Sequence, residues 1–379
     1  EETNFIHMSD DQITTIASGL MPWPPEGNPK GLVSIPVGRD SQNPEGIMKW
    51  EIKPTFGNVA IMVKDMMILR IILDSQGNYP VYFAVTVPGS NRLGLDPFLE
   101  MEGLVYRVKS HKVSRNMPIN PEKMWANLIT ENGSETWNKD FSAAQWKDLE
   151  GDLWSRFYKQ GYLFRNLGLA EIYYFPLTNV RLLQNIRSAY MQLAAHYYLR
   201  FRDLDLRGDK TSEEALENKK KALVVLDKMA DNIPVSTIPF DSKDLYYQVG
   251  RIYGELGQKS QLKTIMDDLM TRKDLNLRDR IDFGQVYVSE LDSIEIGKRI
   301  FEDLYFTYLN MEQARENGKT VNNNIWEEWS ASYSKLVSAL VFTYKKMGQV
   351  EEAELILAGW LDRNPNDPVA KKLLEELKE

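Results

Sequence analysis

The chain has 379 residues, of which 43% are hydrophobic and 26% are charged, a composition typical of a folded protein with two or three domains. Its net charge of −8 and pI near 5.3 argue against a nucleic-acid binder, because neutralising phosphates requires clustered Lys and Arg. The lack of cysteine excludes disulfides, thiolate nucleophiles and cysteine-ligated zinc, and leaves the redox compartment open.

The sequence contains no apolar run close to the roughly 20 residues that a membrane-spanning helix needs. The best candidate, residues 59–73, is interrupted by Lys64, Asp65 and Arg70 and is therefore predicted to be a core helix. The first residues, EETNFIHMSDDQ, have neither the basic start nor the apolar stretch of a signal peptide. Because the sequence also begins without Met, we expect it to be a segment of something longer.

Residues 1–115 are predicted to form a small α/β layer domain with a Pro- and Gly-rich beginning. Strands are expected at 32–37 and, from the alternation in MKWEIK, at 47–53. An amphipathic helix over 60–74, ended by Gly77, precedes the continuous apolar run YPVYFAVTV, which predicts a buried strand over 79–87. The remaining predicted elements are a turn at 88–91, a short helix at 96–100 and a strand at 103–109.

From Pro121 onward the pattern is helical, and the predicted fold class is therefore α+β. Asn120 followed by Pro121 is typical of a helix start, with a capping side chain and Pro at the first helical position. We interpret residues 116–179 as a helical connector and residues 180–379 as a repeat array. Helices are predicted at 143–160, 180–202, 212–231, 243–256, 260–272, 277–289, 293–317, 324–347, 350–363 and 367–377.

Residues 333–368 carry the strongest repeat signal. Two apolar-periodic helices meet at a turn that contains Gly348, and the spacing of Tyr344, Gly348, Ala353 and Pro365 resembles a tetratricopeptide repeat. In such a unit Gly348 reverses the chain, Ala353 leaves room for the facing helix, and Pro365 stops the second helix.

Two earlier segments fit half of this template each. Gly250, Tyr253 and Gly257 repeat its first half, with Leu262 where Ala is preferred. Ala222, Leu226 and Pro234 fit the second half, behind a first helix at 180–202 and a link lengthened by an insertion near 202–212. A unit of this kind buries its apolar face only against neighbours, and such arrays usually present a binding surface for a protein or peptide.

The block from Lys64 to Arg107 resembles a known family on the pieces KDMMIL, PVYFA and LGLDPFLEMEGLVYRV. Further pieces are SIPV at Ser34, YLFRNLG at Tyr162 and NIRSAYMQLA at Asn185. The family comprises large bacterial multi-pass membrane proteins related to a eukaryotic transmembrane protein O-mannosyltransferase. The resemblance covers most of residues 30–260.

This resemblance implies a soluble extracytoplasmic region that follows a set of membrane helices with the GT-C glycosyltransferase fold. GT-C enzymes use a lipid-phosphate-linked sugar and an acidic residue in a loop near the membrane, and that part is missing from this sequence. No catalytic residue is therefore transferred, and no cofactor is predicted. The N-terminal membrane domain of the same polypeptide is an implied partner. The motif residues are Tyr82, Arg92, Arg107 and Arg165. For the three arginines, buried structural ion pairs are favoured over contact with an anionic lipid-sugar.

The sequence gives little support for a metal site. His7, His111 and His196 are far apart and lack metal-site spacing, and His196 is interpreted as a satisfied core or edge residue. The segment beginning at Asp203 partly matches a calcium loop, but Arg207 stands where an oxygen ligand is needed, so a solvated loop is expected.

The recurring aromatic residues could stack on sugars or anchor a peptide, but their helical spacing favours the repeat core. They are Tyr173, Tyr174, Phe175, Tyr197, Tyr198, Tyr246, Tyr247, Trp326 and Trp329.

The leading hypothesis is the non-catalytic, extracytoplasmic C-terminal region of a GT-C-type membrane glycosyltransferase, whose array captures acceptor proteins or organises a complex. The alternative is a free-standing soluble adaptor or outer-membrane-associated binding lipoprotein built on the same repeats. A self-contained carbohydrate-active enzyme is the weakest hypothesis, because no paired-carboxylate motif stands out.

Overall fold

The computed structural model describes residues 20–24, 28, 30–57, 59–75, 79–113, 119–130, 162, 164, 167 and 177–378. The chain divides into two compact units, Glu1–Asp241 and Ser242–Glu379. In sequence order, a region of short antiparallel strands with one helix is followed by an all-helical array of paired helices, which confirms the predicted α+β class. Several predictions fall outside the described residues: the helix at 143–160, the stop at Gly77, and the features at His7, Arg165, Tyr173, Tyr174 and Phe175.

The described part of the first unit opens with the elements β1 (Leu20–Pro22), β2 (Leu32–Pro36), β3 (Ile47–Glu51), β4 (Ala60–Met62), α1 (Val63–Ser75), β5 (Tyr82–Ala84), β6 (Leu99–Met101) and β7 (Val105–Val108). The strands form three small antiparallel sheets, which pair β1 with β4, β2 with β3, and β7 with both β5 and β6. Alternation along β3 buries Met48 and Trp50, as the sequence pattern predicts, and the Trp50 indole donates to the carbonyl of Leu93 across 3.1 Å. The sheets and the helix α1 enclose one apolar core.

The predicted helix start at residue 60 is wrong, because Ala60–Met62 forms strand β4. Asp65 explains the boundary. Its buried carboxylate accepts hydrogen bonds from the Met62 amide at 2.8 Å and from the Thr55 hydroxyl at 2.5 Å. A carboxylate in the first turn that binds the preceding amide fixes a helix N-terminus, so the helix begins at Val63.

The buried strand predicted over 79–87 is also wrong, since β5 contains only Tyr82–Ala84. Phe83 is buried, but Tyr82 and Ala84 are exposed, because alternate side chains of β5 point to opposite faces and only one face is covered by the core. After Ala84 the chain turns, and the Val87 amide donates back to the Ala84 carbonyl across 3.0 Å. An apolar run therefore does not by itself establish a strand covered on both faces.

Three further helices lie in the described part of the first unit: α2 (Pro121–Leu128), α3 (Leu177–Leu206) and α4 (Glu213–Asn232). The predicted cap of α2 is confirmed, because the Asn120 side chain accepts the Lys123 amide across 3.0 Å. Tyr190 on α3 connects the other two helices. Its hydroxyl donates to the Leu128 carbonyl at 3.0 Å and accepts from the Asn232 amide group at 2.8 Å.

Arg187 is fully buried on α3 and holds the segment that follows α4. Its guanidinium donates to the carbonyls of Ile233 at 3.1 Å, Pro239 at 2.8 Å and Ile238. The same guanidinium stacks on the Phe240 ring, with its carbon 4.2 Å from the ring centroid. One cation thus fixes the path of the chain from Ile233 to Phe240.

The second unit consists of helices whose ends match the predicted boundaries within a few residues. They are α5 (Lys243–Glu255), α6 (Lys259–Met270), α7 (Leu277–Ser289), α8 (Ile294–Glu316), α9 (Asn323–Lys346), α10 (Val350–Arg363) and α11 (Pro368–Lys378). Consecutive helices pack on each other along most of the unit, and α7 also contacts α9.

The inter-helix turns after α5 and α9 have the same geometry, which the turn after α8 at Gly318 shares. At the end of α5 the Gln258 amide donates to the Tyr253 carbonyl, and at the end of α9 the Gln349 amide donates to the Tyr344 carbonyl. In each turn a glycine with positive φ, Gly257 or Gly348, donates to the carbonyl three residues earlier. This is the Schellman arrangement, which satisfies the last carbonyls of a helix and reverses the chain.

Candidate functional site

A cleft of about 400 Å³ opens in the first unit between the loop after β2, the C-terminal end of α1 and the segment that follows β7. Val37, Met48 and Ile72 are buried beneath it, whereas Tyr79 at its edge is 74% exposed. The polar lining side chains come from Arg39, Asp40, Ser41, Gln42, Ser75, Arg107, Lys109, Ser110 and His111.

The two main walls of this cleft are tied together by hydrogen bonds. The buried Asn43 side chain donates to the Ser110 carbonyl at 2.8 Å and to the Ile47 carbonyl at 3.2 Å. Asp40 accepts the Gln42 and Asn43 amides, each at 2.7 Å, and the Ser110 hydroxyl. The Ser110 hydroxyl, followed by these amides and by His111, holds the pKa of Asp40 below its usual value. Asp40 is thus an ionised carboxylate that orders the loop.

Asp40, Ser110 and His111 do not form a nucleophile triad. In a triad the histidine lies between the serine and the acid, and it takes the serine proton. Here the serine lies in the middle. The Ser110 hydroxyl donates to Asp40, and His111 Nδ1 lies 3.2 Å from the Ser110 hydroxyl oxygen. This arrangement suits binding rather than acyl transfer.

The basic side chains of the cleft differ in how they are compensated. Arg107 lies 3.5 Å from Glu102, and Lys109 lies 3.1 Å from Glu100. Arg39 has no carboxylate within ion-pair distance among the described residues. Arg39 is therefore the cation most available to an incoming group.

The structure brings the motif residues Tyr82 and Arg107 together and gives Arg92 a different set of contacts. Tyr82 and Arg107 are paired across β5 and β7, and both reach the buried Glu102, at 3.4 Å and 3.5 Å. Arg92 is occupied elsewhere. It donates twice to the Val87 carbonyl, at 2.7 Å and 3.0 Å, pairs with Asp96 at 3.0 Å, and stacks on a tyrosine ring. Its contacts hold the turn after β5.

A second, smaller cleft of about 300 Å³ lies between α9, α10 and α11 of the helical array. Trp360 lines it, and its indole donates to Asp367 across 2.8 Å, which fixes the ring. Val369 at the mouth is 57% exposed. The other lining residues are Ser334, Lys335, Val337, Ser338, Leu357, Ala370 and Leu373. An apolar interior with a few polar groups at the edge suits a side chain of a peptide ligand.

Behind this cleft the array has a cluster of aromatic rings. The Tyr333 ring centroid lies 3.8 Å from that of Tyr308 and 4.6 Å from that of Trp360. Trp326 stacks on Tyr308 at 5.4 Å, and Arg315 lies 4.5 Å over Trp326. Burial raises the pKa of Tyr333 well above its usual value. The cluster packs α8, α9 and α10 together and makes the cleft wall rigid.

The residues chosen from the repeat template lie inside the array or in its turns. Tyr253, Tyr344 and Ala353 are buried, and Pro365 is exposed in the turn before α11. A side chain at Gly250 would come within 3.1 Å of Ile265 and 3.3 Å of Leu262, so this glycine lets α5 and α6 approach closely. These positions stabilise helix pairing and do not line the cleft.

The structure also shows the surroundings of His196 and of the segment that begins at Asp203. His196 is buried on α3, which confirms the interpretation as a core residue, but neither ring nitrogen has a hydrogen-bond partner among the described residues, so the expected satisfying contacts are not found there. At the end of α3, Asp203 pairs with Arg207 at 2.6 Å and Asp205 with Lys210 at 3.0 Å. Those carboxylates neutralise local cations. In the described part of the chain, no three His, Asp or Glu side chains converge as metal ligands.

Of the polar residues that line the first cleft, Arg107 alone belongs to the motif residues named from the sequence. Arg39, Asp40, Ser110 and His111 lie in two loops that are far apart in sequence, and neither loop carries a recognised motif. The Asn43 side chain that joins the loops had no signal beyond a polar residue in a Pro-Gly-rich stretch.

The described residues form a small antiparallel domain followed by an array of paired helices, and each of the two parts contains a cleft described above. Residues 34–125 match the family model described as TMEM260-associated domain 2. The match covers about a quarter of the chain and contains every lining residue of the first cleft. The chain therefore contains a TMEM260-associated domain. No curated protein matches the chain.

Among the helices within the described ranges, none is both long enough and apolar enough to cross a membrane.

Proposed function

We propose that the chain is the extracytoplasmic, non-catalytic C-terminal region of a GT-C-type membrane glycosyltransferase that acts in protein O-glycosylation. The observation that supports this most is the match to the TMEM260-associated domain over residues 34–125. That range includes the block from Lys64 to Arg107 that resembles the O-mannosyltransferase relatives. In this proposal the N-terminal membrane domain of the same polypeptide carries the chemistry.

The helical array contributes acceptor binding in this proposal. Its cleft offers a rigid aromatic wall at Trp360, an apolar interior, and exposed Val369 at the mouth. An extended acceptor segment can insert one apolar side chain there while Ser334 and Ser338 face its backbone. The turns at Gly257 and Gly348 are consistent with tetratricopeptide-like pairs, which commonly present such grooves.

The membrane part of the proposal is tested in the native host by immunoblot with an antibody to this chain. We expect a band much heavier than 43.8 kDa that only detergent releases from the membrane fraction. A soluble band near 43.8 kDa would refute the membrane enzyme and leave a free-standing helical-repeat adaptor.

The role of the array is tested by filling its cleft. Ser338→Trp places an indole in the lining, whereas Ala331→Trp places the same group on an exposed position of α9 outside it. In a strain lacking the gene we expect O-linked glycopeptides to disappear, and to return with the wild type or Ala331→Trp but not with Ser338→Trp. Unchanged glycopeptides in the deletion strain would contradict the glycosylation role. Full rescue by Ser338→Trp at wild-type protein level would contradict the role of the cleft.

A further inference from the structure

The cleft of the first unit is lined by more charged side chains than the cleft of the helical array. Its lining includes Arg39, Arg107, Lys109 and His111, against one acidic residue, Asp40. The single carboxylate is already occupied by the Gln42 and Asn43 amides and by the Ser110 hydroxyl. The charge that remains available to a ligand at the mouth of the cleft is therefore positive.

The basic side chains of the cleft differ in how fully nearby carboxylates neutralise their charge. Glu102 and Glu100 compensate Arg107 and Lys109 from behind the cleft, and both carboxylates are mostly buried. Arg39 has no carboxylate within ion-pair distance among the described residues, and the His111 ring there makes a hydrogen-bond contact with the Ser110 hydroxyl. A planar guanidinium can bind two oxygens of one anionic group, and His111 can donate to it as well.

Beside these groups the cleft has an apolar side. Tyr79 is 74% exposed at the edge, and Pro80 and Val81 follow it along the same wall. An exposed tyrosine next to a cationic edge provides a flat face for a ring or a short aliphatic body. The volume of about 400 Å³ is within the range of small-molecule sites.

We propose that this cleft binds a small ligand with one anionic group, a carboxylate or a phosphate, attached to an apolar body. Arg39 and His111 hold the anion, and Tyr79 covers the body. The walls are preorganised, because Asn43 and Asp40 fix the loop after β2 to Ser110 before any ligand arrives. Preorganised polar groups bind with less loss of conformational entropy. This site does not depend on the proposed acceptor binding of the helical array.

The test is a titration of the full chain with benzoate, phenyl phosphate and benzyl alcohol, followed by amide NMR and calorimetry. We expect saturable shifts confined to the amides of residues 37–42, 79, 81 and 107–111. Benzoate or phenyl phosphate should bind, and benzyl alcohol should bind at least about tenfold more weakly, because a charged hydrogen bond is lost. The anion that binds more tightly identifies the anionic group.

Two variants and one control make the test specific. Arg39→Gln should weaken the preferred anion at least about tenfold. Lys49→Gln removes an exposed cation outside the lining and should leave the affinity unchanged. Tyr79→Ala should weaken benzoate or phenyl phosphate more than it weakens inorganic phosphate. Equal loss in Arg39→Gln and Lys49→Gln, shifts spread over the whole surface, or equal binding of benzyl alcohol would each overturn the proposal.

Discussion

Tyr253 and Tyr344 occupy equivalent positions in two helix ends, where the carbonyl of each accepts an amide five residues later, at 2.8 Å and 2.9 Å. Four residues after each tyrosine comes a glycine with positive φ, +86° at Gly257 and +73° at Gly348. The same turn thus closes two separate helix pairs, and its glycines are needed for their backbone conformation.

The first prediction concerns Gly348. A Cβ there would meet no atom within 4 Å, so substitution tests the backbone conformation alone. Gly348→Ala should lower the free energy of unfolding by about 1–2 kcal/mol, the cost of a left-handed conformation with a side chain. The control is Gly359→Ala in the interior of α10, where helix propensity should raise stability by up to about 1 kcal/mol. Urea unfolding measures both changes. Equal effects of the two substitutions would contradict the assignment of the turn.

The second prediction concerns the contact between α7 and α8. A Cβ at Gly297 would lie 2.9 Å from the carbonyl oxygen of Gly284 and closer still to the Val288 side chain. Because backbone cannot move aside cheaply, Gly297→Ala should destabilise the second unit by about 1–3 kcal/mol. Thermal unfolding by circular dichroism measures the loss. A midpoint equal to that of the wild type would show that the two helices can separate without cost.

The third prediction concerns Arg187. Arg187→Met keeps much of the side-chain volume but leaves the carbonyls of Ile233, Ile238 and Pro239 without their donor. We expect a loss of about 3–5 kcal/mol, typical of breaking a buried charged network. Arg187→Lys should recover only part of it, because an ammonium cannot reproduce the planar fork. Full recovery with lysine would mean that charge alone, and not geometry, holds the segment.

The fourth prediction concerns pH. Burial, followed by Arg200 on the same helix, lowers the pKa of His196, and Glu122 on α2 opposes this shift. The unfolded state therefore binds a proton near pH 6.5, while the folded state still excludes it. The free energy of unfolding should decrease as the pH falls below about 6.5. His196→Leu should remove the part of this decrease that comes from His196.

This prediction is checked by the free energy of unfolding at pH 8, 6.5 and 5. At pH 8 the pH-dependent contribution of His196 should be absent, and the advantage of His196→Leu should grow toward pH 5. Parallel curves for the wild type and His196→Leu would contradict a buried neutral imidazole.

The sequence predicted the helical part of this fold well, because long amphipathic segments repeat their signal over many residues. Asn120 and Gly348 show why the ends were also accurate: an N-cap side chain and a left-handed glycine are local requirements. The short strands were harder to predict from the sequence. Ala60–Met62 is extended because it pairs with β1, a partner distant in sequence, and Asp65 sets the helix start through a buried contact.

The cleft of the first unit could not be predicted for a similar reason. Arg39 and His111 become neighbours of one cavity only when Asn43 joins the two loops. Arg107 was found through a resemblance, and its contact with Glu102 required the pairing of β5 with β7. Chemistry assembled from distant loops is not visible as spacing along a chain.

The attachment of residues 233–240 to Arg187 has a consequence for synthesis on the ribosome. Helix α3 is made first, but the carbonyl acceptors of its buried cation lie beyond the end of α4. Until Pro239 leaves the exit tunnel, the nascent first unit carries a guanidinium without these three acceptors. We therefore expect folding of that unit to be completed late, just before the first helix of the second unit emerges.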